Sequence, residues 1–181
     1  FDHHESPNFI EGSLDIIAGA CESPGLRAAI CYGATERNKG RDEALRGLAE
    51  CARFIKDNRR SLVVGTIGLH AGFTVSDETV RAAADLARRL KAPLHIHVAD
   101  DRIDVTSAQD HGYRSPIERF RELGALLPGS IFAHGVHLSE EDIRSAALAG
   151  CWFVHNPRSN SSNQVGHAHL VAGGDRVALG T

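Results

Sequence analysis

Short apolar runs alternate with amphipathic, helix-like segments along the whole chain. Some runs, such as Leu62–Val64, are apolar on both faces, which is typical of parallel strands covered by helices. The predicted strands are Leu26–Tyr32, Leu62–Leu69, Pro93–Val98, Ser130–His134, Cys151–His155 and Arg176–Gly180, with Phe1–His4 as the end of an earlier strand. This alternation predicts α/β architecture, with βαβ units built around a parallel sheet.

The helix-like segments carry their own start and stop signals. Ser115 is followed by Pro and, at Glu118, by the acidic residue of a capping box, which predicts a helix over Pro116–Leu123. Ser139 precedes three acidic residues and opens another helix, which Gly150 ends. Helical spacing predicts two further buried faces, formed by Val80, Ala83, Ala84, Ala87 and Leu90 and by Leu45, Leu48, Phe54 and Ile55.

Length and strand count together predict one incomplete barrel. The sequence has no linker, repeat or shift in composition, so residues 1–181 are expected to form a single domain. A (β/α)8 TIM barrel typically takes about 250 residues. With the Phe1–His4 remnant the pattern is one strand short of eight, and we expect the first strand to precede Phe1 and the eighth to end beyond Thr181.

Charge and cysteine usage exclude several classes of protein. The 20 Lys and Arg residues balance 23 Asp and Glu residues, without a basic block, so no nucleic-acid partner is expected. No apolar stretch reaches the roughly 20 residues of a membrane span, and no membrane partner is expected either. Cys21, Cys31, Cys51 and Cys151 form no C-x-x-C pair, which favours reduced thiols in a cytoplasmic protein.

Histidine recurs where the predicted strands end. His70, His97, His134 and His155 stand at four consecutive strand ends, and Asp100 follows just after His97. The carboxyl ends of the strands carry the chemistry in a parallel α/β barrel. Neutral imidazole is the commonest metal ligand, and catalytic zinc usually takes three protein ligands and water. These positions therefore predict a site that binds a metal or moves protons.

Other histidines have a simpler interpretation. His95 shares a strand face with His97, but a hydrogen-bonded histidine of the core is the favoured interpretation for His95. His137 lies three residues beyond a strand end and is expected in a loop. His167 and His169 form a second H-x-H motif in a segment that we expect to be exposed to solvent.

Six motifs, in this order and spacing, carry a resemblance to a known family. They are Asp2-His3-His4-Glu5-Ser6-Pro7, Gly68-Leu69-His70-Ala71, His95-Ile96-His97-Val98-Ala99-Asp100, Ala133-His134-Gly135-Val136-His137-Leu138, His155-Asn156-Pro157-Arg158-Ser159-Asn160 and Ala178-Leu179-Gly180-Thr181. The chain resembles the amidohydrolase superfamily, in the branch of cytosine and guanine deaminases and chlorohydrolases. Its opening motif is most similar to the aminohydrolases associated with selenium-dependent purine metabolism.

The resemblance implies a TIM barrel of the metal-dependent hydrolase type with one divalent metal ion, Zn or Fe. His97 would be the metal ligand from the fifth barrel strand. His134, from the sixth strand, would lie at the metal and orient or polarise the substrate and the attacking water. Asp100 stands where the family usually has Glu, a carboxylate that moves protons to the ring under attack. The implied substrate contacts are His70, His155, Asn156 and Asn160.

The implied reaction is hydrolysis of a C–N or C–Cl bond in a nitrogen heterocycle, most simply deamination of a purine-like ring. The partner would be a small heterocyclic substrate, and the sequence leaves open whether the protein is a homo-oligomer. The alternative is a non-catalytic barrel retained as a binding or scaffold protein. Two observations favour that alternative: Asp100 is shorter than Glu, and the family's first-strand H-x-H and eighth-strand Asp lie outside residues 1–181.

Overall fold

Strands and helices alternate from one end of the chain to the other in the computed structural model, which describes residues 1–181. The strands are β1 (Asp2–His4), β2 (Ala28–Ala34), β3 (Val63–Gly65), β4 (Ile67–Ala71), β5 (Leu94–Val98), β6 (Ile131–His134), β7 (Trp152–His155) and β8 (Val177–Leu179). The α-helices are α1 (Ser13–Glu22), α2 (Arg41–Asp57), α3 (Asp77–Leu90), α4 (Arg102–Asp110), α5 (Pro116–Glu122), α6 (Glu140–Leu148) and α7 (Pro157–Ser162). None of these helices combines the length and the apolar character that a membrane crossing requires.

The chain divides into two compact units. The first comprises residues 1–70 and 74–95, and the second comprises residues 71–73 and 96–181. In the first unit β2 pairs in parallel with β1, with β3 and with β4. In the second unit β6 pairs in parallel with β7, and β7 pairs in parallel with β8. The predicted parallel α/β architecture is confirmed in both units.

The predicted strand Leu62–Leu69 forms two strands in succession, β3 and β4. Both pair with β2 in the same register. Thr66 lies between them, and its N–H donates to the carbonyl oxygen of Ile30 at 2.9 Å. The ladder is therefore interrupted at Thr66 without a shift in register, so every side chain keeps the face that the pattern predicts.

Helix α2 buries only part of the face predicted for it. Leu45 is 40% exposed, whereas Leu48 and Phe54 are buried. A methyl group in place of the Gly47 hydrogen would stand 2.7 Å from the Tyr32 ring, so only glycine allows so close an approach of α2 to β2. Because the helix packs on its Gly47 side, Leu45 is rotated into solvent, and the prediction for Leu45 is wrong.

The predicted helix caps of the second unit are confirmed. The Ser115 hydroxyl accepts from the Glu118 N–H at 3.2 Å and begins α5, and Ser139 accepts from the Asp142 N–H at 3.1 Å and begins α6. Such caps stabilise a helix by about 1 kcal/mol each. Gly150 follows the end of α6 with a φ of 89°, a left-handed conformation that favours glycine.

Gly68 and Gly19 provide a matched pair of glycine substitutions. In β4, a methyl group at Gly68 would stand 2.2 Å from the Tyr32 carbonyl oxygen, a backbone atom that cannot easily move. We expect Gly68→Ala to lower the free energy of unfolding by about 3 kcal/mol, as overpacking does. Gly19, within α1, has nothing within 4 Å of such a methyl group. Gly19→Ala should raise the free energy of unfolding by about 0.5 kcal/mol because alanine favours helix.

Urea denaturation followed by circular dichroism measures both changes. If Gly68→Ala and the wild type unfold at the same urea midpoint, that result contradicts the close contact between β2 and β4.

Candidate active site

Backbone hydrogen bonds join the segments that follow β5 and β6 in the second unit. The Gly135 N–H donates to the carbonyl oxygen of Val98 at 2.9 Å, and the His137 N–H donates to that of Ala99 at 3.1 Å. These two bonds satisfy two N–H groups and two carbonyl oxygens at the strand ends. The predicted site residues of these two strands are carried on segments that are bonded directly to each other.

Two residues of these segments adopt left-handed backbone conformations although neither is glycine. Ala99 has a φ of 49° and His134 a φ of 75°. A non-glycine residue held in this region costs about 1–3 kcal/mol, and such residues cluster at active sites and ligand clamps. The backbone conformation of Ala99 determines the direction of the chain at the next residue, Asp100. The backbone conformation of His134 determines the direction in which its own side chain leaves the backbone.

A buried carboxylate holds the segment after β5. Asp104, in the first turn of α4, is 3% exposed. Its two oxygens accept from the N–H of Ala99 at 2.6 Å and from the N–H of Phe73 at 2.9 Å. Burial raises the pKa of Asp104 to about 6, against the opposing effect of these two N–H donors and of the Arg119 charge. Asp104 was not predicted from the sequence, where its only signal was the spacing Asp101-x-x-Asp104 at a helix start.

Five of the predicted site residues come together around one imidazole, that of His134, which is 6% exposed. On one side of the ring, Nδ1 lies 2.7 Å from Oδ1 of Asn160 and 3.1 Å from Oδ1 of Asp100. Nδ2 of Asn156 lies 3.4 Å from Nε2. The ring of His97 stands nearly perpendicular to that of His134, with 5.3 Å between the ring centres.

The imidazoles of His97 and His134 suit a zinc or iron ion by their donor chemistry. A catalytic zinc ion usually takes three protein ligands. Across residues 1–181 no group of three or more His, Cys, Asp or Glu side chains is arranged to hold a metal ion. The second unit thus supplies two imidazoles of suitable chemistry, which is fewer than the usual set.

His155, at the end of β7, packs against a different histidine. Its ring centre lies 4.8 Å from that of His167, which in turn lies 5.6 Å from that of His169. Both His167 and His169 are exposed, as predicted. Burial lowers the pKa of His155, and the neighbouring His167 lowers it further. The substrate contact expected of His155 stays a prediction.

His70 belongs to the first unit, at the end of β4. Its Nδ1 lies 3.1 Å from the hydroxyl of Thr74, and its Nε2 lies 3.5 Å from a carboxylate oxygen of Glu5. Burial lowers the pKa of His70 to about 4, against the effect of Glu5. Glu5 also forms an ion pair with Arg37. Glu5 lies in one of the sequence motifs but had no predicted role, because its contact with His70 depends on the pairing of distant segments.

His95 is buried, as the core interpretation predicts. Its ring packs edge-on against that of His3, with 4.9 Å between the ring centres. The His3 Nε2–H donates to the carbonyl oxygen of Leu69 at 2.9 Å. These imidazoles are therefore part of the packing of the first unit.

Comparison by sequence identifies the family. Residues 2–181 match the amidohydrolase family. A 5-methylthioadenosine/S-adenosylhomocysteine deaminase of Desulforudis audaxviator is 32% identical over 171 residues, which are 93% of this chain and 40% of the relative. The chain belongs to the amidohydrolase family, and it spans about 40% of the length of this relative.

Comparison by structure confirms the predicted fold, an α/β fold of the TIM-barrel type found in metal-dependent hydrolases. An adenosine deaminase from Xanthomonas campestris with bound zinc superposes with a TM-score of 0.79 at 25% identity, over 93% of this chain and 40% of that one. A guanine deaminase from C. acetobutylicum superposes with a TM-score of 0.82 at 19% identity, over 98% of this chain and 45% of that one.

The raised pKa of Asp104 predicts how the free energy of unfolding changes with pH. Its pKa is raised in the folded protein, so the folded state binds the proton more tightly than the unfolded chain does. The contribution of Asp104 to stability is therefore full below the unfolded pKa and is lost as the pH rises through about 6. We expect the free energy of unfolding, wild type minus Asp104→Asn, to increase by on the order of 1–3 kcal/mol between pH 7 and pH 4.

Urea denaturation of both proteins across this pH range measures the difference, in which the titration of other groups cancels. A difference that shrinks toward pH 4 would mean that Asp104 is held as a carboxylate by its donors, with a lowered pKa.

Proposed function

We propose that this chain is the catalytic part of a metal-dependent aminohydrolase, which removes an amino group from a purine-like ring. The proposal rests mainly on the cluster of His97, Asp100 and His134 at two neighbouring strand ends. Within this cluster, Asp100 lies 3.1 Å from the His134 imidazole. The relatives named above support the substrate class, since each is named as a deaminase of adenosine, an adenosine derivative or guanine.

His97 would hold a divalent ion, zinc or iron, with His134 beside it. The zinc of the related adenosine deaminase supports this assignment. A metal ion bound there supplies Lewis acidity, which lowers the pKa of water enough to make it a nucleophile near neutral pH. The remaining ligands of a usual three-ligand zinc site have to come from groups other than these two imidazoles.

Asp100 and His134 would move the protons of the reaction. Asp100 has a side chain that is 31% exposed, so its carboxylate can reach both His134 and a bound ring. In deamination, water adds to the ring carbon that bears the amino group, and one of the water protons goes to the ring nitrogen. The proton of the new hydroxyl then passes to the amino group, and ammonia departs as the C–N bond breaks and the carbonyl forms. His134 would take the first proton from the attacking water, and the Asp100 carboxylate would carry a proton to the ring nitrogen and then the hydroxyl proton to the amino group.

In the second unit the substrate contacts in this proposal are His155 and Asn156, and the contact that the resemblance implies for His70 stays a prediction. Each of these side chains is only partly buried, which leaves surface for a ligand. Asn160 is 1% exposed and has no such surface.

All four cysteines are free thiols, which supports a reducing compartment such as the cytoplasm.

The metal site can be tested without turnover. We expect His97→Ala to weaken zinc binding by at least about tenfold, because it removes a ligand. His111, an exposed histidine at the end of α4, provides the control, and His111→Ala should bind zinc as the wild type does. Isothermal titration with zinc and metal analysis of the purified proteins measure both. A wild type that takes up no stoichiometric zinc or iron would favour the scaffold alternative.

The reaction can be tested by the release of ammonia from adenosine, 5-methylthioadenosine, S-adenosylhomocysteine and guanine by the metal-loaded protein. We expect turnover of at least one of them, and Asp100→Asn should lower kcat by about 100-fold or more because it removes the proton carrier. Asp101→Asn, at the exposed N-cap of α4, is the neighbouring control and should leave kcat unchanged. Metal-loaded protein that turns over none of these substrates, or full activity in Asp100→Asn, would contradict the proposal.

A further inference from the structure

We propose that Asn160 is a positioning residue, which accepts the Nδ1–H of His134 and thereby fixes the tautomer in which Nε2 carries the lone pair. The inference rests on the proposed function only in giving His134 a part in the reaction. It replaces the expectation that Asn160 contacts substrate.

The place of Asn160 in the fold supports this role. Asn160 lies in the short helix α7, directly after β7, and its backbone is fixed at both ends of the residue. Its N–H donates to the carbonyl oxygen of Asn156 at 2.9 Å, and its own carbonyl oxygen accepts from the N–H of Val165 at 3.1 Å. The side chain is buried, with Oδ1 placed 2.7 Å from Nδ1 of His134. This is a short, enclosed hydrogen bond between two side chains that cannot easily move.

The second oxygen near Nδ1 does not compete for the proton. Oδ1 of Asp100 lies 3.1 Å from Nδ1 of His134, but it makes no hydrogen bond. The N–H of an imidazole points along one direction in the ring plane, and a bond weakens steeply when it is bent. Asn160 therefore takes the proton, and the Asp100 carboxylate is near the ring without being bound by it.

The opposite edge of the His134 ring agrees with this tautomer. Nδ2 of Asn156, a donor with no acceptor capacity, lies 3.4 Å from Nε2. A proton on Nε2 would face this amide donor, whereas a lone pair on Nε2 is compatible with it. Both edges of the ring thus favour a proton on Nδ1, and Nε2 is the nitrogen left to accept a proton from water or to bind a metal ion.

The experiment measures the tautomer of His134 directly, by ¹⁵N NMR of the imidazole nitrogens in labelled protein. The His134 signals are assigned as those lost in His134→Gln. Free imidazole side chains in water favour the proton on Nε2, so a wild-type His134 with the proton on Nδ1 is the expected signature. Asn160→Leu has nearly the same shape as Asn but no acceptor, and in this variant the proton should move mainly to Nε2.

Three further variants separate the possible acceptors. Asn160→Asp keeps an oxygen at this position and should keep the proton on Nδ1. Asp100→Ala should also keep it there, because Asp100 makes no hydrogen bond to the ring. Asn163→Leu, the same substitution at an exposed position that follows α7, is the control and should not change the spectrum.

Two results would overturn the inference. One is a proton on Nε2 in the wild type, a measurement that needs no variant to fold. The other is a tautomer that changes in Asp100→Ala as much as in Asn160→Leu, which would make Asp100 the acceptor.

Kinetics provide a second readout. A positioning residue should lower kcat by about tenfold or more in Asn160→Leu, with KM nearly unchanged, and Asn160→Asp should restore part of the rate. A residue that contacts substrate would instead raise KM, and that outcome would contradict the inference. If the wild type turns over no substrate, the proposed function fails while the NMR result stands. If the wild type is active but His134 carries its proton on Nε2, only the role proposed for Asn160 fails.

Discussion

The strand ends of the second unit depend on one buried carboxylate, that of Asp104. It satisfies the N–H groups of Ala99 and Phe73, and a buried N–H that loses its acceptor costs about 1–3 kcal/mol. That is comparable to the strain of a left-handed alanine, so the bond can hold Ala99 where it would not otherwise stay. Because Ala99 in turn accepts from the N–H of His137, the same carboxylate fixes the segment that follows His134. Asp100 and His134 therefore take their places from a residue that has no part in the proposed reaction.

The sequence predicts the residues of the candidate site better than it predicts their roles. His97, Asp100 and His134 could be placed together because parallel strands bring their carboxyl ends to one edge, a rule that needs only the strand assignments. The role of Asn160 could not be predicted, since it depends on a side-chain contact with His134, which lies 26 residues earlier in the chain. Leu45 was misplaced for a similar reason: the packing face of α2 is decided by the contact of Gly47 with the distant Tyr32.

Burial lowers the pKa of one strand-end histidine in each unit. It lowers the pKa of His70 in the first unit and of His155 in the second, which favours the neutral form of both imidazoles. A neutral imidazole keeps one lone pair and one N–H, and it can accept a hydrogen bond at one edge while it donates at the other. Histidine at a strand end is useful to an enzyme in this form, and the burial that produces it follows from the packing around each strand.

The choice of an amide rather than a carboxylate at position 160 follows from the number of donors available. A buried carboxylate is costly unless several donors satisfy it. Asp104 has two backbone N–H donors, and the buried Glu43 accepts from the Asn38 amide and the Lys39 N–H. The oxygen of Asn160 has one donor, the Nδ1–H of His134, while the buried Nδ2 of the same amide has no hydrogen-bond partner. One donor is enough for a neutral oxygen, so the amide can orient the imidazole without bringing a second charge beside Asp100, whose more exposed carboxylate stays available for protons.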